Sequence, residues 1–202
     1  MIKAILFDAD GVVIKRHKYF SERLAEEFSV AREKTMPFFR GVFVQCVLGR
    51  ADLKEEVAKY LYDWKWKRTV DELLEYWFSG EREVDTKLLK YIDEIRTSGI
   101  HCYLVTDQEK YRAEYILNAM GLGEHFDGAF FSCGLGYRKS DREFFEEVLK
   151  KISNVEPGEV LYFDDDEKNI AVAGAVEISA KLYMSFENFK NSDENNLLKK
   201  SC

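Results

Sequence analysis

Residues 2–11 read Ile2-Lys3-Ala4-Ile5-Leu6-Phe7-Asp8-Ala9-Asp10-Gly11, an apolar run of strand length that stops on two aspartates and a glycine. A strand with so little polar alternation belongs in a parallel sheet covered on both faces. Four further runs of this kind follow: Ile100–Val105, Gly128–Ser132, Val160–Phe163 and Lys181–Met184. Helix patterns of crossover length lie between them. Leu88, Leu89, Ile92 and Ile95 share one face of a helix predicted over Val84–Ser98, with Asp85 as N-cap and Gly99 as its stop. A second helix is predicted over Gln108–Met120, closed by Gly121. Ser140-Asp141-Arg142-Glu143 has the spacing of a capping box that opens a third. The fold class that follows is α/β, a Rossmann-like doubly wound parallel sheet.

Residues 16–83 interrupt that alternation. They hold no convincing strand, but Phe20, Leu24 and Phe28 recur at helical spacing, Asp52 opens another helix, and Thr69-Val70-Asp71-Glu72 caps a third. The expected organisation is a core of residues 1–15 and 84–202, with an all-α cap subdomain, 16–83, inserted behind the first strand. Gly80-Glu81-Arg82 is its expected return hinge. The many aromatic residues of the insertion suit the core of a small helix bundle. Arg50 and Trp66, near breaks between helices, are its candidates for substrate contact, and His17 lies near the expected entrance. The polar end from Asn188 is expected to fray.

Composition narrows the function classes. The 202 residues carry 30 Lys+Arg against 37 Asp+Glu, a net charge of −7, and are 46% hydrophobic and 14% aromatic. A chain of that content buries a core, so intrinsic disorder is excluded. The acid excess argues against a nucleic-acid-binding surface. No apolar run approaches the roughly 20 residues of a membrane span, and the opening apolar run is too short for a signal peptide, so a cytoplasmic location is expected. Four cysteines lack the CxxC spacing of zinc or dithiol redox sites, and three histidines lack metal-ligand spacing. With no exposed hydrophobic seam in view, a monomer is the default.

Open α/β sheets bind ligands at the carboxyl ends of their strands. Here those ends carry Asp8 and Asp10, Thr106 and Asp107, and Asp164-Asp165-Asp166, with Lys139 between the third and fourth strands. One aspartate after a strand is an ordinary turn or cap residue, which suffices for Asp107. Two acidic clusters on one sheet edge repel unless a cation joins them. An all-oxygen donor set suits Mg²⁺, which keeps waters and bridges to a phosphate.

These residues resemble the haloacid-dehalogenase-like (HAD) hydrolase superfamily, in the branch whose helical cap lies between the first and second motifs. Phe7-Asp8-Ala9-Asp10-Gly11-Val12 is similar to its first motif, Leu104-Val105-Thr106 to the second, Lys139 to the third-motif lysine, and Phe163-Asp164-Asp165 with Asn169 to the fourth. The resemblance implies that Asp8 is a nucleophile forming an aspartyl-phosphate and that Asp10 is the general acid and base. It implies Mg²⁺ held by Asp8, Asp165 and the backbone carbonyl of Asp10, supported by Asp164. Thr106 and Lys139 would neutralise the phosphoryl oxygens, helped by N–H groups at the start of the 108–120 helix. Asp107 stands near the phosphate where Asn is frequent, Ser140 where Pro is common, and Asp166 where a small hydroxyl residue is common. Asp10 itself points to phosphate esters, because the dehalogenases lack an aspartate there.

The implied function is therefore a Mg²⁺-dependent phosphatase of a small phosphorylated metabolite. A phosphomutase would use the same aspartyl-phosphate and yield an isomer in place of free phosphate. A phospho-accepting signalling domain also uses strand-end aspartates, but it has neither the insertion nor Asp10. A non-catalytic interaction protein would be expected to have lost some of these groups, and none is missing.

Overall fold

The computed structural model describes residues 1–15 and 18–191. Its sheet has five parallel strands: β1 (Ala4–Phe7), β2 (His101–Thr106), β3 (Gly128–Phe131), β4 (Val160–Asp164) and β5 (Ser179–Leu182). They lie in the order β3-β2-β1-β4-β5. The chain builds outward from β1 on one side and then returns to place β4 on the other. The crevice between β1 and β4 is thus the switch point at which such sheets bind ligands.

Behind β1 the chain forms five helices in succession: α1 (Phe20–Phe28), α2 (Arg32–Arg40), α3 (Val42–Val47), α4 (Leu53–Ala58) and α5 (Val70–Ser79). Asp52 caps α4 by accepting from the Lys54 and Glu55 N–H groups, and Thr69 with Glu72 forms the capping box of α5. Phe20, Leu24, Phe38, Trp64, Leu73 and Trp77 pack into a core of their own, with Phe20 stacked on Trp77 at 4.5 Å between ring centroids. The chain leaves and re-enters the sheet layer side by side. The Lys15 N–H donates to the Glu83 carbonyl at 2.8 Å, and the Asp85 N–H to the Val13 carbonyl at 2.9 Å.

The remaining helices are α6 (Thr86–Thr97), α7 (Lys110–Glu114), α8 (Ser132–Leu135), α9 (Arg142–Lys151), α10 (Glu167–Gly174) and α11 (Phe186–Lys190). Period-two alternation sends Ile5 and Phe7 to the face covered by α6 and α11, and Ala4 and Leu6 to the face covered by α9 and α10. Both faces are dry, as the continuous apolar character of β1 and β4 requires. Asp85 caps α6 as expected. No helix among the described residues is long and apolar enough to cross a membrane.

Four local expectations are corrected. The last strand is Ser179–Leu182, not Lys181–Met184. It is an edge strand whose place is set by backbone pairing with β4 (Leu161 opposite Ser179), while Met184 lies exposed beyond it. The residue before α9 is Asp141, which makes no side-chain cap bond, so Ser140 opens no capping box. Its carboxylate accepts from the Arg138 N–H at 2.9 Å instead. The helix predicted over 108–120 begins only at Lys110 and passes into a wider π turn over Tyr115–Ala119. Asn188 to Lys190 belong to α11, held by buried Phe189, and Asn191 is its C-cap, while residues 192–202 lie outside the described residues.

Candidate active site

The carboxyl edge of the sheet gathers the predicted residues at the switch point. Asp8 follows β1 directly and its N–H donates to the Phe163 carbonyl at 3.0 Å, which pins it beside the end of β4. Gly11, at φ 97°, turns the chain immediately behind Asp10. Asp8, Asp164 and Lys139 are all buried, at 3%, 0% and 5% exposure. The Lys139 ammonium lies 2.5 Å from Asp8 Oδ1 and 2.7 Å from Asp164 Oδ2. Asp164 also accepts from the Tyr162 hydroxyl, from Asn169 Nδ2 at 3.1 Å and from the Asp166 N–H at 2.7 Å. Those bonds orient its carboxylate. Tyr162 shares a strand face with Asp164, and burial with the two nearby carboxylates pushes its phenol well up.

Three carboxylates converge on this edge beside Lys139. Oxygens of Asp8, Asp164 and Asp165 lie within 4.8 Å of one another. Burial pushes the Asp8 carboxyl up to about 8, against the pull of Lys139 and with a further push from Asp164. Burial alone would lower Lys139, but the charges of Asp8 and Asp164 outweigh it and hold the ammonium protonated. Three carboxylates converging from two strand ends fit a hard divalent ion such as Mg²⁺ by donor type and spacing.

Asp107 closes the β2 end. It accepts from the Lys139 N–H at 2.9 Å and from Arg138 Nε at 3.1 Å. The loop that delivers Lys139 is thereby anchored to the sheet, and the extra negative charge meets Arg138. Thr106 is the buried last residue of β2.

Asp10 takes a different place. Its carboxylate lies outside the group formed by Asp8, Asp164 and Asp165, is about half exposed, and accepts from Gln108 Nε2. Arg112 stands 4.0 Å from its other oxygen. That guanidinium is buried and donates to the carbonyls of Phe78 and Glu81, where the helical insertion returns to the sheet. Of the N–H donors expected at the start of the 108–120 helix, two are taken within the helix. Glu109 is the N-cap of α7, and its carboxylate takes the Tyr111 and Arg112 N–H groups at 2.8 and 2.6 Å, so those two are already committed. Burial pushes Glu109 up to about 7.

Beyond Asp10 opens a cavity of about 470 Å³ between the sheet edge and the insertion. Phe20, Met36, Phe39, Phe43, Trp77 and Phe78 form its apolar wall. Arg50 and Trp66 are not on that wall: Arg50 donates to the Gly136 carbonyl, and Trp66 donates to the Thr69 carbonyl and packs on Phe28. His17 lies outside the described residues.

Sequence reading missed Gln108, Glu109, Arg112 and Tyr162. The first three look like the polar face of an ordinary helix. The signal available was position, since Gln108 and Glu109 directly follow the strand end at Thr106-Asp107. Tyr162 was reachable through period-two spacing from Asp164.

Comparison with known proteins adds a family and a fold. A family model described as haloacid dehalogenase-like hydrolase matches residues 2–176. The sesquiterpene phosphatase astK of Aspergillus oryzae is 30% identical over 92 residues, which is 46% of this chain and 46% of that protein, so the match spans about half the relative's length. The structure of a predicted HAD-like family hydrolase from Porphyromonas gingivalis superposes with a TM-score of 0.82 at 23% identity, covering 98% of both chains. A HAD family enzyme from Bacteroides thetaiotaomicron, in complex with magnesium and inorganic phosphate, superposes at 0.78 with 20% identity over 92% of this chain and 96% of that one.

Proposed function

The chain belongs to the haloacid dehalogenase-like hydrolase family, and from that premise we propose that it is a Mg²⁺-dependent phosphatase of a small phosphomonoester. The observation that carries the reading is one juxtaposition. Asp8 is buried beside Lys139 and the Asp164-Asp165 pair, with Asp10 two residues away at the floor of a cavity. The magnesium and phosphate in the Bacteroides structure and the phosphatase activity in the name of the Aspergillus relative agree with it. Residues 16–83 act as the cap and 1–15 with 84–202 as the core.

In the proposed reaction an oxygen of Asp8 attacks phosphorus and the bond from phosphorus to the alcohol oxygen breaks. Asp10 gives its proton to that oxygen, leaving an aspartyl-phosphate on Asp8. Asp10 then takes a proton from water, the water oxygen attacks phosphorus, and the bond to Asp8 breaks to release phosphate. Lys139 and Thr106 balance charge on the phosphoryl oxygens, and Asp107 keeps the lysine loop in place. Asp8, Asp165 and the Asp10 carbonyl would hold Mg²⁺, supported by Asp164; when bound, the ion lowers the Asp8 pKa and offsets phosphate charge. Gln108 and Arg112 orient Asp10.

Hydrolysis of p-nitrophenyl phosphate tests this. Turnover is expected with Mg²⁺, with loss of at least about 10³-fold on adding EDTA and recovery on restoring the ion, since ion removal takes several kcal/mol of charge stabilisation. Turnover indifferent to EDTA would count against the reading. Isomerised sugar phosphate without free phosphate would shift it to the phosphomutase.

A further inference from the structure

We infer that the leaving alcohol of the substrate is hydrophobic, a long alkyl, isoprenoid or fused-ring alcohol and not a sugar or other polyol, an inference that rests on the phosphatase reading and adds its substrate class. The cavity is lined by Asp10 with its partner Gln108, and at its rim by Asp107, but by neither Asp8 nor Lys139. It therefore meets the proposed site on the side of the acid that protonates the leaving oxygen, which places the alcohol and not the phosphoryl group inside it.

Its wall is apolar where a polyol needs partners. Phe20, Phe39, Phe43, Trp77 and Phe78 present rings, held in fixed array by contacts such as Phe39 against Trp77 at 5.5 Å and Trp77 against Phe78 at 5.8 Å. Three of the ionisable groups in the lining, Glu81, Glu109 and Arg112, direct hydrogen bonds into the protein, while Arg32, Asp10 and Asp107 lie at the polar side of the same cavity. Glu81 accepts from the Phe20 N–H at 3.0 Å and from Trp77 Nε1 at 3.2 Å, Glu109 caps α7, and Arg112 donates to two main-chain carbonyls. Against the aromatic wall a hydroxyl-rich alcohol would lose water without gaining partners, whereas a hydrocarbon tail gains from leaving water.

Met36 gives the handle for a test. It lies half-buried on the cavity wall, away from the packed core of the insertion. The experiment measures kcat/KM with Mg²⁺ for ethyl, butyl, hexyl, octyl and decyl phosphate below their micellar concentrations, with glycerol phosphate as the polar comparator. The expected result is a rise of about three- to fourfold per methylene, carried mainly by KM, with glycerol phosphate at or below ethyl phosphate. Met36→Glu is expected to flatten that slope while the far-ultraviolet spectrum stays unchanged. A flat or falling series in an enzyme that still hydrolyses p-nitrophenyl phosphate with Mg²⁺ would overturn the substrate class and leave the phosphatase reading intact. If no ester turns over, quenching of tryptophan fluorescence by decanol decides: saturable quenching lost in Trp77→Phe supports an apolar occupant, and its absence refutes one.

Discussion

Asp8→Asn is expected to lower hydrolysis of a phosphomonoester by at least about 10⁴-fold and, in the same molecule, to raise the melting temperature of the metal-free protein. The first effect follows from the proposed chemistry, because an amide neither attacks phosphorus as a carboxylate does nor forms an acyl phosphate. The second follows from burial. Asp8 sits at about 8 in the fold against an ordinary 3.8, so between those values the folded chain retains a proton that the unfolded chain has lost. Stability therefore falls as pH rises through that window and levels above it. An asparagine carries no charge at any pH and removes that slope. It also leaves Lys139 paired with Asp164 alone, one positive group against one negative. In EDTA at pH 8 the gain should be on the order of 1 kcal/mol, about 2–4 °C for a chain of this size, and it should shrink by pH 5. Mg²⁺ should raise the melting temperature of the wild type more than that of the variant. Retained turnover would refute the role of Asp8. A lower melting temperature at pH 8 would refute the electrostatic account of its burial.

Lys139→Ala is expected to have the opposite effect on stability. The change leaves two carboxylates, at 3% and 0% exposure, without the ammonium that lies within 2.7 Å of both. Removing one partner of a buried charge set costs about 3–5 kcal/mol, or roughly 6–20 °C here. Activity should also vanish, but unfolding could explain that by itself. The informative comparison is a cycle of variants. At pH 9, above the value of Asp8 in the fold, adding Asp8→Asn to Lys139→Ala removes a carboxyl that can ionise only at a cost there, and should recover part of the lost stability, a coupling of about 1 kcal/mol. Urea midpoints in EDTA measure it. Additive losses would mean that Lys139 acts through packing of its stem and not through its charge.

The sequence made legible what the sheet itself dictates. β1 and β4 are central and dry on both faces, so their hydrophobic runs were unambiguous, and the acids at their ends had to meet at one edge. β5 was misplaced by two residues because an edge strand is set by backbone pairing, with little burial to mark it. The Ser140 box failed for a related reason: Asp141 turns back to the Arg138 N–H, a competition among local acceptors that spacing does not reveal. The site was legible to the extent that it lies on strand ends. Asp8, Asp164, Lys139 and Asp107 are found together. Arg112 and Glu109 were hidden because an arginine and a glutamate on a helix look solvated, and only the insertion packed above α7 buries them. The cavity wall was hidden too. Phe20 and Trp77 read as bundle core, which they are, and nothing in their spacing says that one side faces open space.

The claim that Asp8 becomes phosphorylated can be met directly in Asp10→Asn. With p-nitrophenyl phosphate the leaving group needs little help from an acid, so phosphorylation of Asp8 should proceed, while breakdown lacks its base and stalls. Quenching this variant in acid after one turnover, reducing acyl phosphate with borohydride and mapping the peptides by mass spectrometry should find homoserine in place of Asp8, only when Mg²⁺ and substrate were both present. Release of nitrophenol with Asp8 unmodified, or with the modification at another carboxylate, would contradict the account.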